Sequence, residues 1–174
     1  KPLRNRREFL ADTGLTAAAV LCSGMAAQAA AEPADRLHVS INQWSVGAVR
    51  RRDKQNAKIE FDDELAGLAA AGIDGLEPGL GSADQVDALA AQLAKHGLQL
   101  RSIYTGSAVD DPANVDKELE RIVALAKRAK QAGTKIVVTN PRPLPNRQGK
   151  SDEQLRTQAA ALNKLGHALA ELGV

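Results

Sequence analysis

Apolar and polar residues along most of the chain follow two repeating patterns. Short runs in which apolar residues alternate or form a continuous block predict β-strands. Longer stretches in which apolar residues recur every three to four positions, such as Val115, Leu119 and Ile122, predict amphipathic helices. The four predicted strands cover residues 37–42, 73–77, 98–104 and 135–140.

Capping residues set the predicted limits of the helices. Two pairs have the spacing of a capping box, Ser82 with Gln85 and Ser151 with Gln154. Pro112 suits the first turn of a helix, because it lacks the N–H that a helix start leaves unpaired. The predicted helices run from Asp62 or Asp63 to Gly72, from Ser82 to His96, from Pro112 to Gly133, and from Ser151 to Gly173. The segment between the first strand and the first of these helices is predicted to be a loop.

A glycine separates a helix end from an apolar residue four times, in "AGI", "HGL", "AGT" and "LGV". Three of those apolar residues begin predicted strands, so Val174 is expected to begin a fifth. Helix–glycine–strand units repeated in this way predict parallel strands with right-handed crossovers. Half of a TIM barrel and an open doubly wound sheet both fit. No G-x-G-x-x-G or G-x-x-x-x-G-K-[ST] motif follows any strand, which favours the barrel.

The length of the repeated region supports the same choice. Four strand–helix units occupy about 140 residues, and a complete barrel has eight units in ~250 residues. Residues 32–174 are therefore predicted to be an α/β domain of four βα units, the first half of a TIM barrel cut at the start of strand five. The chain is expected to be part of a longer protein.

Residues 1–31 have the layout of an export signal, with the pair Arg6 and Arg7, an apolar run and the small residues "AQAAA". The order R-R-x-F-L resembles a bacterial twin-arginine signal, which implies the twin-arginine export machinery as a partner and a periplasmic or secreted protein. The alternative is an ordinary amphipathic helix with a basic end. Spanning a bilayer takes ~20 strongly apolar residues, so this short, alanine-rich run predicts no stable membrane anchor.

Composition excludes several classes of function. The net charge is +2, and the chain has only two Phe, one Trp and one Tyr. This near-neutral, aromatic-poor composition offers neither the basic surface nor the stacking platforms of a nucleic-acid binder, so no nucleic-acid partner is expected. A single cysteine excludes an internal disulfide framework, and no Cys/His cluster of zinc type is present.

The segments "SINQWSVG", "LAAAGIDGLEPGL", "LAKHGLQLRSIYTG" and "KIVVTNPRP" resemble the first four units of the sugar phosphate isomerase/epimerase family, which has the xylose isomerase-like TIM barrel. The most specific part is the second strand, which ends in Glu77. The resemblance implies an enzyme that moves a proton between adjacent carbons of a small-molecule carbohydrate. It also implies a divalent metal ion in the full-length protein, bound by acidic and histidine residues on strands five to eight. No metal ligand is therefore assigned in this chain.

Each predicted strand leads to a candidate site residue, because active-site groups of a parallel barrel lie at the carboxyl ends of the strands. The candidate substrate-binding residues are Trp44 after strand one, Glu77 after strand two, Tyr104 after strand three and Asn140 after strand four. Aromatic rings can cover the C–H faces of a sugar, while polar side chains bond its hydroxyls. The alternatives are rim packing for Trp44 and Tyr104, a turn residue at Asn140, and a salt bridge from Glu77 to Arg101 or Arg142.

Two functions of different classes remain open at this point. One is a metal-dependent sugar isomerase or epimerase, and the other is a non-catalytic, exported carbohydrate-binding protein on the same barrel. Acidic and histidine residues at the ends of strands five to eight would favour the enzyme. The basic run at residues 50–54 is predicted to lie in a loop on the same face, where it either attracts a phosphate or another anion or is simply solvated. No catalytic residue is assigned.

Overall fold

A computed structural model describes residues 37–52 and 59–174 of the chain. The predicted export signal, residues 1–31, and part of the basic run lie outside the described residues. Within the described ranges, no helix has the length and apolar character that crossing a membrane requires.

Four parallel strands lie side by side in chain order. They are β1 (Ser40–Asn42), β2 (Gly75–Glu77), β3 (Ser102–Ser107) and β4 (Ile136–Pro141). β1 pairs with β2, and β3 pairs with β4 over six residues. Backbone hydrogen bonds around the end of β2 join the two pairs, such as that from Tyr104 N to Pro78 O at 2.8 Å. The predicted parallel α/β arrangement is confirmed by this order.

Five α-helices connect and flank these strands. They are α1 (Gln43–Arg52), α2 (Phe61–Ala70), α3 (Asp84–Lys95), α4 (Pro112–Gln131) and α5 (Asp152–Leu172). A short 3-10 helix, Pro145–Arg147, lies between β4 and α5. The last four α-helices are those that the apolar pattern predicts, with ends shifted by a few residues.

Helix α1 corrects the prediction of a loop after strand one. The segment that contains it has no clear apolar stripe, and it carries a glycine and β-branched valines, so the pattern gave no helix signal. Its start is set instead by Asn42, whose side-chain Oδ1 accepts a hydrogen bond from Trp44 N at 2.8 Å. Asparagine at this position satisfies one of the N–H groups that every helix leaves unpaired. Residues 50–52 of the basic run therefore end a helix and do not lie in a loop.

Two of the predicted helix starts are confirmed. Ser151 and Gln154 form the complete capping box of α5, and Pro112 is the first residue of α4, directly after Asp111, a cap that the sequence did not predict. α2 starts at Phe61 after Glu60, without a side-chain cap, so neither Asp62 nor Asp63 caps it. Asp62 instead bonds to His96 of the neighbouring helix end.

Helix α3 begins later than its predicted capping box. Its first residue is Asp84, and Ala83 occupies the cap position without a side-chain bond. Gln85 Oε1 accepts from the backbone N–H groups of Gly81 and Ser82, at 2.7 and 3.2 Å. The glutamine thus accepts the hydrogen bond from Ser82 N that the predicted capping box requires. The serine side chain caps no helical N–H, and the helix begins two residues after the serine.

The predicted glycines follow α2 to α5 in the left-handed conformation that favours glycine: Gly72 (φ 79°), Gly97 (φ 70°), Gly133 (φ 102°) and Gly173 (φ 71°). The fifth strand that Val174 was expected to begin stays a prediction, since the last residue only continues the helix end, with its N–H bonded to Leu169 O.

The hydrophobic core lies between the sheet and the helices. Buried side chains that pack there include Leu65, Leu76, Leu93, Ile103 and Leu125, and a second cluster joins α4 to α5 through Leu119, Ile122 and Leu165. Burying each such side chain contributes about 1.5–3 kcal/mol. Neighbouring residues on a strand point to opposite faces, so Glu77 and Tyr104 face away from these helices, on the concave side of the sheet.

Candidate functional site

The carboxyl ends of β1 and β2 are joined by a side-chain pair. Asn42 stands opposite Glu77 in the strand register, and its Nδ2 donates to Glu77 Oε1 at 2.5 Å. The same amide caps α1 through its Oδ1, so its two ends have different partners and its orientation is fixed. Glu77 is only partly buried, and its carboxylate is held at the end of its strand by this donor.

The salt bridge proposed as an alternative for Glu77 is not formed within the described residues. Arg101 Nε donates instead to Gln99 Oε1 at 2.7 Å. Glu77 bonds to the neutral amide of Asn42. Within the described residues, the bonding partner of Glu77 is therefore an amide and not an arginine.

A second side-chain bond joins α1 to the segment after β2. Gln43, the first residue of α1, accepts a hydrogen bond from Gly79 N through its Oε1 at 2.9 Å. The residue after Gly79, Leu80, is bonded through its N–H to Tyr104 O at 2.8 Å. α1, the segment after β2, and β3 are therefore connected in series at one end of the sheet.

A cavity of about 400 Å³ opens between these three elements. α1 contributes Gln43, Trp44, Gly47 and Arg51 to its lining, and the other two elements contribute Gly79, Leu80, Tyr104, Thr105 and Gly106. The cavity therefore brings together two of the four predicted site residues, the indole and the phenol. Trp44 is 62% exposed at the mouth.

The remaining positions differ from the simple picture of one candidate at each strand end. Tyr104 lies in the middle of β3, because the strand continues to Ser107. Asn140 is inside β4, paired with Gly106, and its side chain is exposed. Glu77 and Asn140 are not among the residues that line the cavity. Glu77 is paired with Asn42, which directly precedes the lining residue Gln43, and Asn140 is paired with the lining residue Gly106.

Arg51 gives the cavity a positive charge. It lies in the last turn of α1, where basic side chains also suit the negative end of the helix dipole. Sequence reasoning considered an anion site in this run but placed it in a loop. In the helix, the Arg51 side chain of this run lines the cavity.

Arg121 of α4 is a site element that sequence reasoning missed. A guanidinium has five N–H donors, and all five are used here. Nε and Nη2 donate to Glu118 at 2.9 and 2.8 Å, Nη1 donates to Gly81 O at 2.7 Å and Thr105 Oγ1 at 3.1 Å, and Nη2 also donates to Gly106 O at 2.7 Å. Arg121 thus fixes the two backbone segments that form one wall of the cavity.

Glu118 completes this network. Its Oε1 also accepts from Ala108 N at 3.0 Å, and its side chain is only 14% exposed. The hydrogen bond from Arg121 is the main cause that lowers the pKa of Glu118 below its ordinary value of 4.5, against the opposing effect of burial. Glu118 in turn raises the pKa of Arg121. In the sequence this pair looks like any surface i, i+3 ion pair, so no signal separates it from a solvated helix face.

A second ion pair joins the segment after β3 to the segment before α5. Lys150 Nζ lies 3.6 Å from Asp110 Oδ1, with side-chain exposures of only 10% and 13%. Lys150 also donates to Gln158 Oε1 at 2.7 Å. The segment after β3 is therefore bound to α5 and to the residues just before that helix, beyond the carboxyl ends of β3 and β4.

The described residues hold no complete ligand set for a metal ion. Among residues 37–52 and 59–174, no three His, Cys, Asp or Glu side chains lie together as a possible ligand set. The divalent ion implied by the resemblance, with its ligands on later strands, stays a prediction.

A family model described as "Xylose isomerase-like TIM barrel" matches residues 65–174. The chain belongs to this family. The match begins inside α2 and covers β2 to β4 and α3 to α5, and it decides between the two architectures that the sequence left open in favour of the barrel.

A solved structure supports the fold of this xylose isomerase-like TIM barrel. It is a sugar phosphate isomerase/epimerase from Parabacteroides distasonis, with 16% sequence identity and a TM-score of 0.58. The alignment covers 83% of this chain and 52% of that chain. The chain thus spans about half the length of this relative and corresponds to the first half of the barrel. No curated protein matches the sequence.

Proposed function

We propose that this chain forms the substrate-binding half of a carbohydrate isomerase or epimerase that moves a proton between adjacent carbons. The observation that carries the proposal is the cavity of about 400 Å³ that Trp44 and Tyr104 line, beside the carboxyl ends of β1 and β2. Active sites of TIM-barrel enzymes lie at that end. The fold alone does not fix a reaction, so the residues of the cavity carry the argument.

The lining suits a small carbohydrate. The two aromatic side chains offer apolar surfaces for C–H groups, and the Gln43 amide offers a polar contact for a hydroxyl. Arg51 supplies a charge for a phosphate or carboxylate on the ligand. A sugar phosphate combines these three chemistries in one molecule.

Glu77 and Asn140 extend this site on the concave face. The Glu77 carboxylate, oriented by Asn42, accepts a hydrogen bond from a sugar hydroxyl or orients a catalytic group. Asn140 offers its exposed amide one strand further, beside Gly106. In this proposal all four sequence candidates contribute to one site, with Trp44 and Tyr104 in the cavity and Glu77 and Asn140 contacting the parts of the ligand that extend beyond it.

The catalytic and metal-binding residues belong, in this proposal, to strands five to eight of the full-length protein. A divalent metal ion is expected there, since family resemblance implies it and the described residues offer no ligand set. The alternative, an exported carbohydrate-binding protein without catalysis, shares the same cavity and differs only in those later strands.

Proton exchange tests the proposal directly. Full-length protein is incubated in D₂O with a panel of free and phosphorylated aldoses and ketoses, and deuterium next to the carbonyl carbon is followed by NMR. An isomerase or epimerase incorporates deuterium, and removing divalent metal with EDTA stops the exchange until Mn²⁺ or Mg²⁺ is added. Binding without exchange would show the non-catalytic protein. If the protein shows no binding and no exchange, the carbohydrate site is rejected.

Export through the twin-arginine machinery is part of the same proposal, and the R-R-x-F-L order and the "AQAAA" site support it. Fusing residues 1–35 to a reporter should direct the reporter to the periplasm. Replacing Arg6 and Arg7 by lysine should stop that transport, because the twin-arginine machinery reads the arginine pair. Unchanged transport of the double variant would exclude this route.

A further inference from the structure

Three glycines line the cavity, and one of them has no structural reason to be glycine. A Cβ atom at Gly47 would lie 3.3 Å from Arg51 Nη1, and one at Gly106 would lie 3.4 Å from Arg142 Nε, both closer than most real contacts. A Cβ atom at Gly79 would lie 3.9 Å from its nearest neighbour, an ordinary van der Waals distance. The backbone of Gly79 also lies outside the left-handed region that disfavours other residues.

The space next to Gly79 belongs to the cavity. The two nearest atoms to a Cβ there are Tyr104 Cδ1 at 3.9 Å and Gln43 Oε1 at 4.0 Å, and both residues line the cavity. A side chain at position 79 would therefore point between the phenol ring and the amide. It would occupy room that no atom of residues 37–52 and 59–174 uses.

The backbone at this point is fixed, so the wall does not yield. Gly79 N is bonded to Gln43 Oε1 at 2.9 Å, Tyr104 N to Pro78 O at 2.8 Å, and Leu80 N to Tyr104 O at 2.8 Å. Three hydrogen bonds within three residues keep the chain at a set distance from β3. A group added at Gly79 would thus reduce the cavity and would not be absorbed by movement of the loop.

We propose that Gly79 determines the size of ligand that the cavity accepts. The missing side chain lets the carbon chain of a sugar lie directly against the backbone, between Tyr104 and Gln43. This inference rests on the proposed carbohydrate site and adds its specificity-determining position. A three-carbon ligand leaves this space unfilled, while a six-carbon ligand needs it.

The test compares Gly79→Ala and Gly79→Val with Gly149→Ala in the full-length protein. Gly149 is a matched control, because a Cβ there would have no neighbour within 4 Å and the residue does not line the cavity. Binding of dihydroxyacetone phosphate and of D-fructose 6-phosphate, with three and six carbons, is measured by calorimetry, and Tm is measured for each variant. Gly79→Ala should keep Tm within a few degrees and weaken binding of the six-carbon ligand at least tenfold more than binding of the three-carbon ligand. Valine should increase the difference, and Gly149→Ala should leave both affinities unchanged.

Each other outcome has a definite meaning. If the wild-type protein binds both sugars and Gly79→Ala keeps their ratio of affinities, the role of Gly79 is rejected while the carbohydrate site stands. If Gly79→Ala loses its folded structure, the glycine is structural and the inference is wrong. If the wild-type protein binds neither sugar, the proposed site and the inference that depends on it both fail.

Discussion

Glu77 is the last residue of a short buried strand, and its charged side chain is only partly buried. Leu76 packs into the core on one face, and the carboxylate points to the other, where Asn42 donates to it. A buried charge without a partner would cost several kcal/mol, while a partly exposed carboxylate with a hydrogen-bond donor avoids most of that cost. The position is therefore available for contact with a ligand at little expense of stability.

The substitution Glu77→Gln separates charge from shape at this position. A glutamine Oε1 can still accept from Asn42 Nδ2, so we expect Tm of the full-length protein to stay within a few degrees. Losing the charge should lower kcat/KM at least tenfold, which corresponds to about 1.4 kcal/mol of transition-state stabilisation. Glu120→Gln on the exposed face of α4 removes the same charge elsewhere and should leave both quantities unchanged. A variant that loses stability but keeps activity would make Glu77 a structural rim residue.

Glu118 makes the stability of the cavity wall depend on pH. Its pKa is lower in the folded chain than its ordinary value of 4.5, chiefly because Arg121 donates to it. A carboxyl group of this kind contributes its full stabilisation above its unfolded pKa and loses it as the pH falls through the folded pKa. Glu118→Gln should therefore reduce the free energy of unfolding at neutral pH by about 2 kcal/mol, the scale of a charged hydrogen bond.

The pH dependence of that difference is the measurement that decides. Urea unfolding of the wild-type protein and of Glu118→Gln should differ most at neutral pH and converge as the pH drops below about 4.5. A difference that stays constant down to strongly acidic pH would mean that Glu118 acts through packing and not through its charge.

Among the helices, starts and ends differ in how readily they follow from the sequence. The capping box of α5 is complete, with Ser151 Oγ accepting from Gln154 N at 3.2 Å and Gln154 Oε1 accepting from Ser151 N at 2.9 Å. The equivalent pattern at Ser82 and Gln85 forms only half of its bonds. The same four-residue motif thus has different energetic weight at the two places.

Serine-to-alanine substitutions at the two motifs should show this difference. Ser151→Ala removes a formed cap and should lower the free energy of unfolding by about 1 kcal/mol. Ser82→Ala leaves the glutamine bond to the backbone in place and should change it by much less. Chemical unfolding of both variants measures the contrast, and equal losses would contradict the assignment of the α3 start.

Most elements could be predicted because their apolar residues repeat with the right period and end at glycine. α1 could not, since its start depends on the Asn42 side chain and its first residue bonds to Gly79, far along the chain. The sequence singled out Trp44 and Tyr104 as aromatic residues near predicted strand ends, and both line the cavity, although Tyr104 lies in the middle of β3. The Arg121 network could not be predicted, because an arginine on a helix is normally expected to face solvent. Its partners Gly81 and Gly106 come close to it only in the folded chain.

At the scale of the whole molecule, the sheet is open along both sides. Within the described residues, β1 and β4 each pair with one neighbour only. Ile136 of β4 is 56% exposed on the concave face, and Leu37, just before β1, is 85% exposed. Unpaired edges with apolar side chains promote association with other strands. In a complete barrel, further strands would cover these surfaces.

The 174-residue chain alone should therefore self-associate and show no isomerase activity. Ile136→Lys places a charge at the open edge and should shift the chain toward the monomer in analytical ultracentrifugation. Leu155→Lys is the matched control, because Leu155 is similarly exposed, at 47%, but lies on α5. It should leave the association unchanged. A monomeric chain that melts cooperatively and turns over substrate would contradict the half-barrel interpretation.

The double role of Asn42 also has a consequence for the order in which the chain assembles. The bond that caps α1 is local, but the carboxylate that orients the amide lies 35 positions further along. Closing so long a loop costs entropy before any contact compensates it. α1 therefore gains its full stability only when β1 meets β2. Trp44 is the only tryptophan of the chain and lies in the first turn of α1. Its fluorescence during refolding should therefore change when β1 pairs with β2.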